Sequence, residues 1–144
     1  MKELIKIHNG KLITSDKIVD DASVLVRSGT IVEVRETDIQ NENAMEIDAK
    51  GNYISPGFID MHVHGGGGCD FMDATESAFL TIAETHAKYG TTSLLPTTLS
   101  ASKEDILKTL AVYEIANRNN INGAQFLGMH LEGPYLSSRQ CGAQ

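Results

Sequence analysis

Residues 57–68 read GFIDMHVHGGGG, and the fold turns on how this stretch divides. Its first part is an apolar run of strand type that ends in two histidines one residue apart; its second part is four glycines, a loop by composition. Side chains alternate faces along a strand, so Ile59, Met61 and Val63 point one way while Asp60, His62 and His64 point the other. The first set suits covering helices. The second places three ionisable groups in succession on the opposite face, where burying even a neutral polar group without a partner costs about 2–7 kcal/mol. A lone strand histidine is ordinarily a hydrogen-bonded core residue, but a bound divalent cation would satisfy both imidazoles together. Asp60 is then expected behind the ligands, accepting a hydrogen bond from an imidazole. The glycines read as a loop forced into unusual backbone angles or closely approached by a ligand, with a flexible linker as the plainer alternative.

Downstream, strands alternate with helical segments, the texture of βα units on a parallel sheet. A helix is expected from about Ala74 to Tyr89, with Asp73 and Glu76 as a capping pair, Phe79, Ile82, Ala83, His86 and Ala87 on one face, and Gly90 as its stop. A second strand, TSLLPTTL (92–99), leads to a capping signature at Ser102 and Asp105 and to a helix with Ile106, Leu107, Leu110 and Ala111 on one side. A third strand, AQFLGMHLEG (124–133), repeats the division of the first, with Leu127, Met129 and Leu131 on one face and Gly128, His130 and Glu132 on the other. Two imidazoles on one strand and a carboxylate at the matching end of another form a partial shell for a divalent metal such as zinc.

Upstream, residues 1–55 have a different texture of short strands and turns. Asn9-Gly10 and Ser28-Gly29 both read as hairpin signals in this region. A net charge of −7 over 144 residues argues against binding nucleic acid through its phosphates. No apolar run approaches the roughly 18–20 residues that span a bilayer, so no membrane role and a cytoplasmic location are expected. Cys69 and Cys141 are far apart and read as free loop thiols. His86 reads as a helix-face residue.

The segments SPGFIDMHVHG (55–65), GMHLEGPYLS (128–137) and GAQ (142–144) carry a resemblance beyond spacing. The first is similar to the start of the barrel in the amidohydrolase superfamily. The second and third resemble the signature of the N-acetylglucosamine-6-phosphate deacetylase family, and the similarity runs along all of the chain. The resemblance implies an α/β fold: an incomplete TIM-like (β/α) barrel of the metal-dependent hydrolase type over residues 56–144, preceded by part of a small β-sandwich module over residues 1–55. It implies Glu132, His62 and His64 as metal ligands, Ala143 and Gln144 as the substrate-contacting pair, and His130 as local support. It implies one or two divalent ions per subunit, zinc or iron, an amino sugar phosphate as substrate, and a homodimer.

The family's general-base aspartate and two later histidine ligands are not found within residues 1–144. A full barrel takes typically about 250 residues, so the chain is expected to be the front part of a longer enzyme and inactive alone. Two other readings stay open. One is a dihydroorotase-like or hydantoinase-like enzyme acting on a cyclic amide, disfavoured by the lack of a basic substrate-reading residue just after His64. The other is a non-enzymatic remnant that pairs through its open sheet edge.

Overall fold

The computed structural model describes residues 4–142. They form two compact units, one ending at Pro56 and the other starting at Gly57. Among the described residues, no helix is long and apolar enough to cross a membrane.

The first unit is one mixed sheet. Its strands are β1 (Leu4–Ile13), β2 (Ile18–Arg27), β3 (Thr30–Arg35), β4 (Met45–Asp48) and β5 (Tyr53–Ile54), in the order β3-β2-β1-β4, with β5 pairing beside β4 on β1. Ser28-Gly29 makes the β2–β3 turn as its sequence predicts, with φ of 50° and 78°. Asn9-Gly10 does not turn the chain. Asn9 has φ 54° and lies inside β1, where the pairing with β2 shifts register between Ile7 and Gly10. The same left-handed preference that makes a hairpin here makes a bulge, because β1 continues into pairing with β5. The buried side of the sheet gathers Leu12, Ala22, Val24 and Ile54. Buried Ser23 ties down the loop after β3, its hydroxyl donating to the Thr37 carbonyl at 2.7 Å and accepting from Ile39 N–H at 2.9 Å.

The second unit is built on a parallel sheet, β10-β9-β6, formed by β6 (Phe58–Val63), β9 (Thr91–Pro96) and β10 (Gln125–Phe126). A small antiparallel hairpin, β7 (Gly65–Gly66) with β8 (Cys69–Asp70), follows β6. The glycine run is therefore an ordered turn and not a linker. Gly67 and Gly68 take φ of +63° and +82°, and a Cβ on Gly67 would lie 2.4 Å from the Thr85 hydroxyl, so glycine serves both the turn and its close packing on the following helix.

Helix α1 (Glu76–Lys88) starts later than its sequence predicts. Asp73 instead closes a short 3-10 turn (Phe71–Asp73) capped by Asp70, and Thr75 caps α1 by accepting from Ala78 N–H at 3.2 Å. The next helix, α2 (Lys103–Asn119), is capped by Ser102 as expected, with Asp105 N–H donating to its hydroxyl at 3.1 Å. Its buried face is Ile106, Thr109 and Ala116, with Val112 and Tyr113 beside it; Leu107 and Ala111 are exposed. The expected face was one residue out of phase because Thr109, a polar residue, occupies the inward position.

The core joins Phe71, Phe79 and Phe126, whose rings meet edge-on at centroid distances of 4.7, 6.3 and 6.0 Å, with Ile82, Ala83, Leu94 and Val63. Only Val63 of the expected apolar face of β6 enters it. Ile59 and Met61 are 62% and 69% exposed, because α1 packs over the hairpin and β9 and leaves this part of the edge strand uncovered. The predicted third strand is also shorter. Its ladder stops at Phe126, and one further bridge joins Thr97 to His130.

Candidate metal centre

Strand β6 and the segment after β10 bring three side chains together beyond the end of β9. His62 and His64, two residues apart, share one side as the alternation requires. The Thr97–His130 bridge then holds the outgoing chain parallel to β9 long enough to deliver Glu132 to the same place. Gly133, with φ +84°, turns the chain away immediately afterwards; a Cβ there would lie 2.4 Å from the Ser100 hydroxyl and 2.9 Å from Ser100 Cα.

The donor atoms form a nearly equilateral triangle. His62 Nε2 lies 3.2 Å from His64 Nε2, and Glu132 Oε2 lies 3.1 Å from the first and 3.3 Å from the second. A tetrahedral first-row ion with bonds of about 2.0–2.1 Å needs ligand-to-ligand edges of roughly 3.3–3.4 Å. The observed edges approach that size, and the set of two imidazoles and a carboxylate suits zinc, iron and similar divalent ions. Three ligands also leave coordination positions open for water or substrate. The Glu132 side chain is 27% exposed and that of His62 49%, so the triangle is open to solvent on one side.

The residues around the triangle differ in part from expectation. The Asp60 carboxylate accepts from the backbone N–H of His62 at 3.1 Å and reaches neither imidazole. Among the described residues, His64 Nδ1 is buried without a hydrogen-bond partner, and no described carbonyl or carboxylate fixes its tautomer from behind. His130 stays outside the triangle: its Nδ1 is 3.3 Å from the Met61 carbonyl, and its ring stands edge-on to that of His62 at 4.7 Å. His86 lies 3.2 Å from the Gly65 carbonyl, against the glycine hairpin. Cys69 and Cys141 are free thiols. Ala143 and Gln144 fall outside the described residues.

Two residues that touch the site's backbone passed unnoticed in the sequence. Thr97 and Thr98 are fully buried, and their hydroxyls bond Val63 and Glu132 respectively. The signal was present in a pair of adjacent polar residues at the end of a strand that enters the core.

A parallel βα sheet with a His-x-His strand end and a converging glutamate defines a class, the metal-dependent hydrolases of amidohydrolase type. The model of the amidohydrolase family matches residues 53–141, and the chain belongs to that family. Within it, the chain is 32% identical to the N-acetylglucosamine-6-phosphate deacetylase of Bacillus subtilis, over 100% of this chain and 37% of the relative. It is 33% identical to the N-acetylgalactosamine-6-phosphate deacetylase of Escherichia coli O157:H7, over 92% of this chain and 34% of the relative. The crystal structure of N-acetylglucosamine-6-phosphate deacetylase from Pasteurella multocida superposes with a TM-score of 0.86 at 30% identity, covering 98% of this chain and 37% of that one. The chain thus spans little more than a third of the length of these relatives.

Proposed function

We propose that these residues are part of a metal-dependent deacetylase that converts N-acetylglucosamine 6-phosphate to glucosamine 6-phosphate and acetate. In this reading, residues 56–144 are the first βα units of a TIM-like barrel and residues 1–55 part of a β-sandwich module. The observation that carries it is the convergence of His62, His64 and Glu132 at strand ends, in a chain similar along its whole length to enzymes of that name. His62 and His64 would hold the ion through Nε2, and Glu132 would contribute a carboxylate ligand. A divalent ion held there, zinc or iron, supplies Lewis-acid activation of water and of the acetamido carbonyl. Hydrolysis breaks the amide C–N bond; water's oxygen joins the acetyl carbon, and the nitrogen leaves as the sugar amine. Ala143 and Gln144 contact the sugar, and the base that moves the proton is an aspartate beyond residue 144. A cytoplasmic homodimer belongs to the same reading.

A second reading, the galactosamine epimer as substrate, is favoured by the similar identity to the N-acetylgalactosamine-6-phosphate deacetylase. Acetate release from each sugar phosphate, measured on the protein as its gene encodes it and supplied with zinc or iron(II), separates the two. Faster release from the glucosamine compound is the expected result. Release from the galactosamine compound alone selects the second reading, and release from neither by a metal-loaded protein refutes both.

A further inference from the structure

We propose that Thr98 is a positioning residue for the metal centre, holding Glu132 against the histidine strand while its neighbour Thr97 holds that strand from the other side. The proposal rests on the reading of His62, His64 and Glu132 as ligands. Both threonines are 0% exposed and sit at the end of β9, between the two segments that bear the triangle.

Successive residues face opposite ways, and the pair uses this to reach in both directions. The Thr97 hydroxyl accepts at 3.0 Å from the N–H of Val63, the residue between the two histidines, and donates to the Leu95 carbonyl at 3.0 Å. Thr97 N–H donates to the Val63 carbonyl at 2.9 Å, so Val63 is held at both its backbone groups. The Thr98 hydroxyl accepts from Glu132 N–H at 3.1 Å and donates to the Glu132 carbonyl at 3.3 Å, while Thr98 N–H donates to the His130 carbonyl at 3.0 Å. The strand ladder ends six residues earlier, at Phe126. One buried hydroxyl therefore does for Glu132 what ladder bonds do for a strand residue. A ligand triangle with 3.1–3.3 Å edges tolerates little drift of that backbone, and partners behind a ligand commonly control metal affinity for this reason.

The test is cobalt(II) titration of the metal-free protein, made as its gene encodes it, following the visible d–d bands for affinity and coordination geometry. Thr98→Val keeps the shape and removes the hydroxyl; it is expected to weaken cobalt binding by about 10–100-fold and alter the band intensities, while Thr98→Ser retains wild-type affinity and spectrum. Thr109→Val is the control. That hydroxyl is equally buried, bonds the Asp105 carbonyl at 3.0 Å within α2 and touches nothing at the site, so its loss is expected to lower stability without moving the cobalt affinity.

Wild-type affinity and spectrum in Thr98→Val, with binding lost in Glu132→Gln, overturn the positioning role and leave the metal centre standing. A wild-type protein that takes up no cobalt, or uptake unchanged in Glu132→Gln, overturns the metal reading and the proposal with it. If Thr98→Val does not fold, Thr98→Ala is compared with Thr98→Ser: equal affinities overturn the proposal, and selective loss in the alanine variant supports it.

Discussion

Each unit contains a cluster of ionisable side chains, and the two clusters differ in charge balance. In the β unit, the Lys6 side chain is 5% exposed, and its ammonium lies 3.1 Å from Asp38 and 2.6 Å from Glu46. A cation with three donors meets two carboxylates whose outer parts remain in water, and the cluster is complete without a ligand. The hydrogen bond that Lys6 donates to Glu46, followed by the Asp38 contacts, raises the Lys6 pKa against the effect of burial. In the βα unit, two imidazole nitrogens lie 3.1 and 3.3 Å from a carboxylate oxygen, and the three side chains converge on one point. A structural ion cluster is built round a permanent cation, here the Lys6 ammonium, whereas the candidate cation site is built from side chains that can all act as metal ligands.

The two clusters part most widely at Glu132. Glu132→Gln keeps the shape and removes the charge, and metal affinity is expected to fall by about 100-fold or more, the top of the range seen when partners behind a ligand are lost. The metal-free unfolding midpoint should change little, since the carboxylate is partly exposed to water and the amide keeps its shape. Chelator competition and urea unfolding read the two effects. Unchanged affinity would place the metal elsewhere.

A smaller effect is expected in the β unit, with the opposite pattern. Asp38→Asn combined with Glu46→Gln strands a buried ammonium and should lower the urea midpoint at neutral pH. Lys6→Met should lower it less, because both carboxylates are about half exposed and regain water. Neither variant should alter metal affinity. A larger loss in Lys6→Met than in the double variant would contradict the charge-balance account.

The smallest effect concerns acid. Asp48 accepts from Lys50 N–H at 2.8 Å and from the Asn9 side chain at 2.7 Å, which hold its pKa below the ordinary value of 3.8. A lowered carboxylate contributes stability that is present above its unfolded value and lost as pH falls through the folded one. The wild-type midpoint should therefore drop more steeply below pH 3.8 than that of Asp48→Asn, as urea unfolding at pH 5 and pH 3 would show. Lys6 acts at the other extreme: its contribution is complete below pH 10.5 and fades only in stronger alkali.

What the sequence determined by itself was whatever depends on near neighbours. His62 and His64 fall on one side because strand side chains alternate, Ser102 caps α2 because its hydroxyl reaches Asp105 N–H, and Ser28-Gly29 turns because both residues accept left-handed angles. Glu132 was legible from its motif. The tertiary structure decided what depends on distant partners. Asn9-Gly10 became a bulge because β5 pairs with the rest of β1, and Lys6 was buried because Asp38 and Glu46 fold back to meet it. Thr97 and Thr98 gained their partners from residues 34 positions away in each case. Propensity and periodicity act within a few residues, whereas a buried hydroxyl or ammonium is satisfied by groups that only the folded chain brings within hydrogen-bond reach.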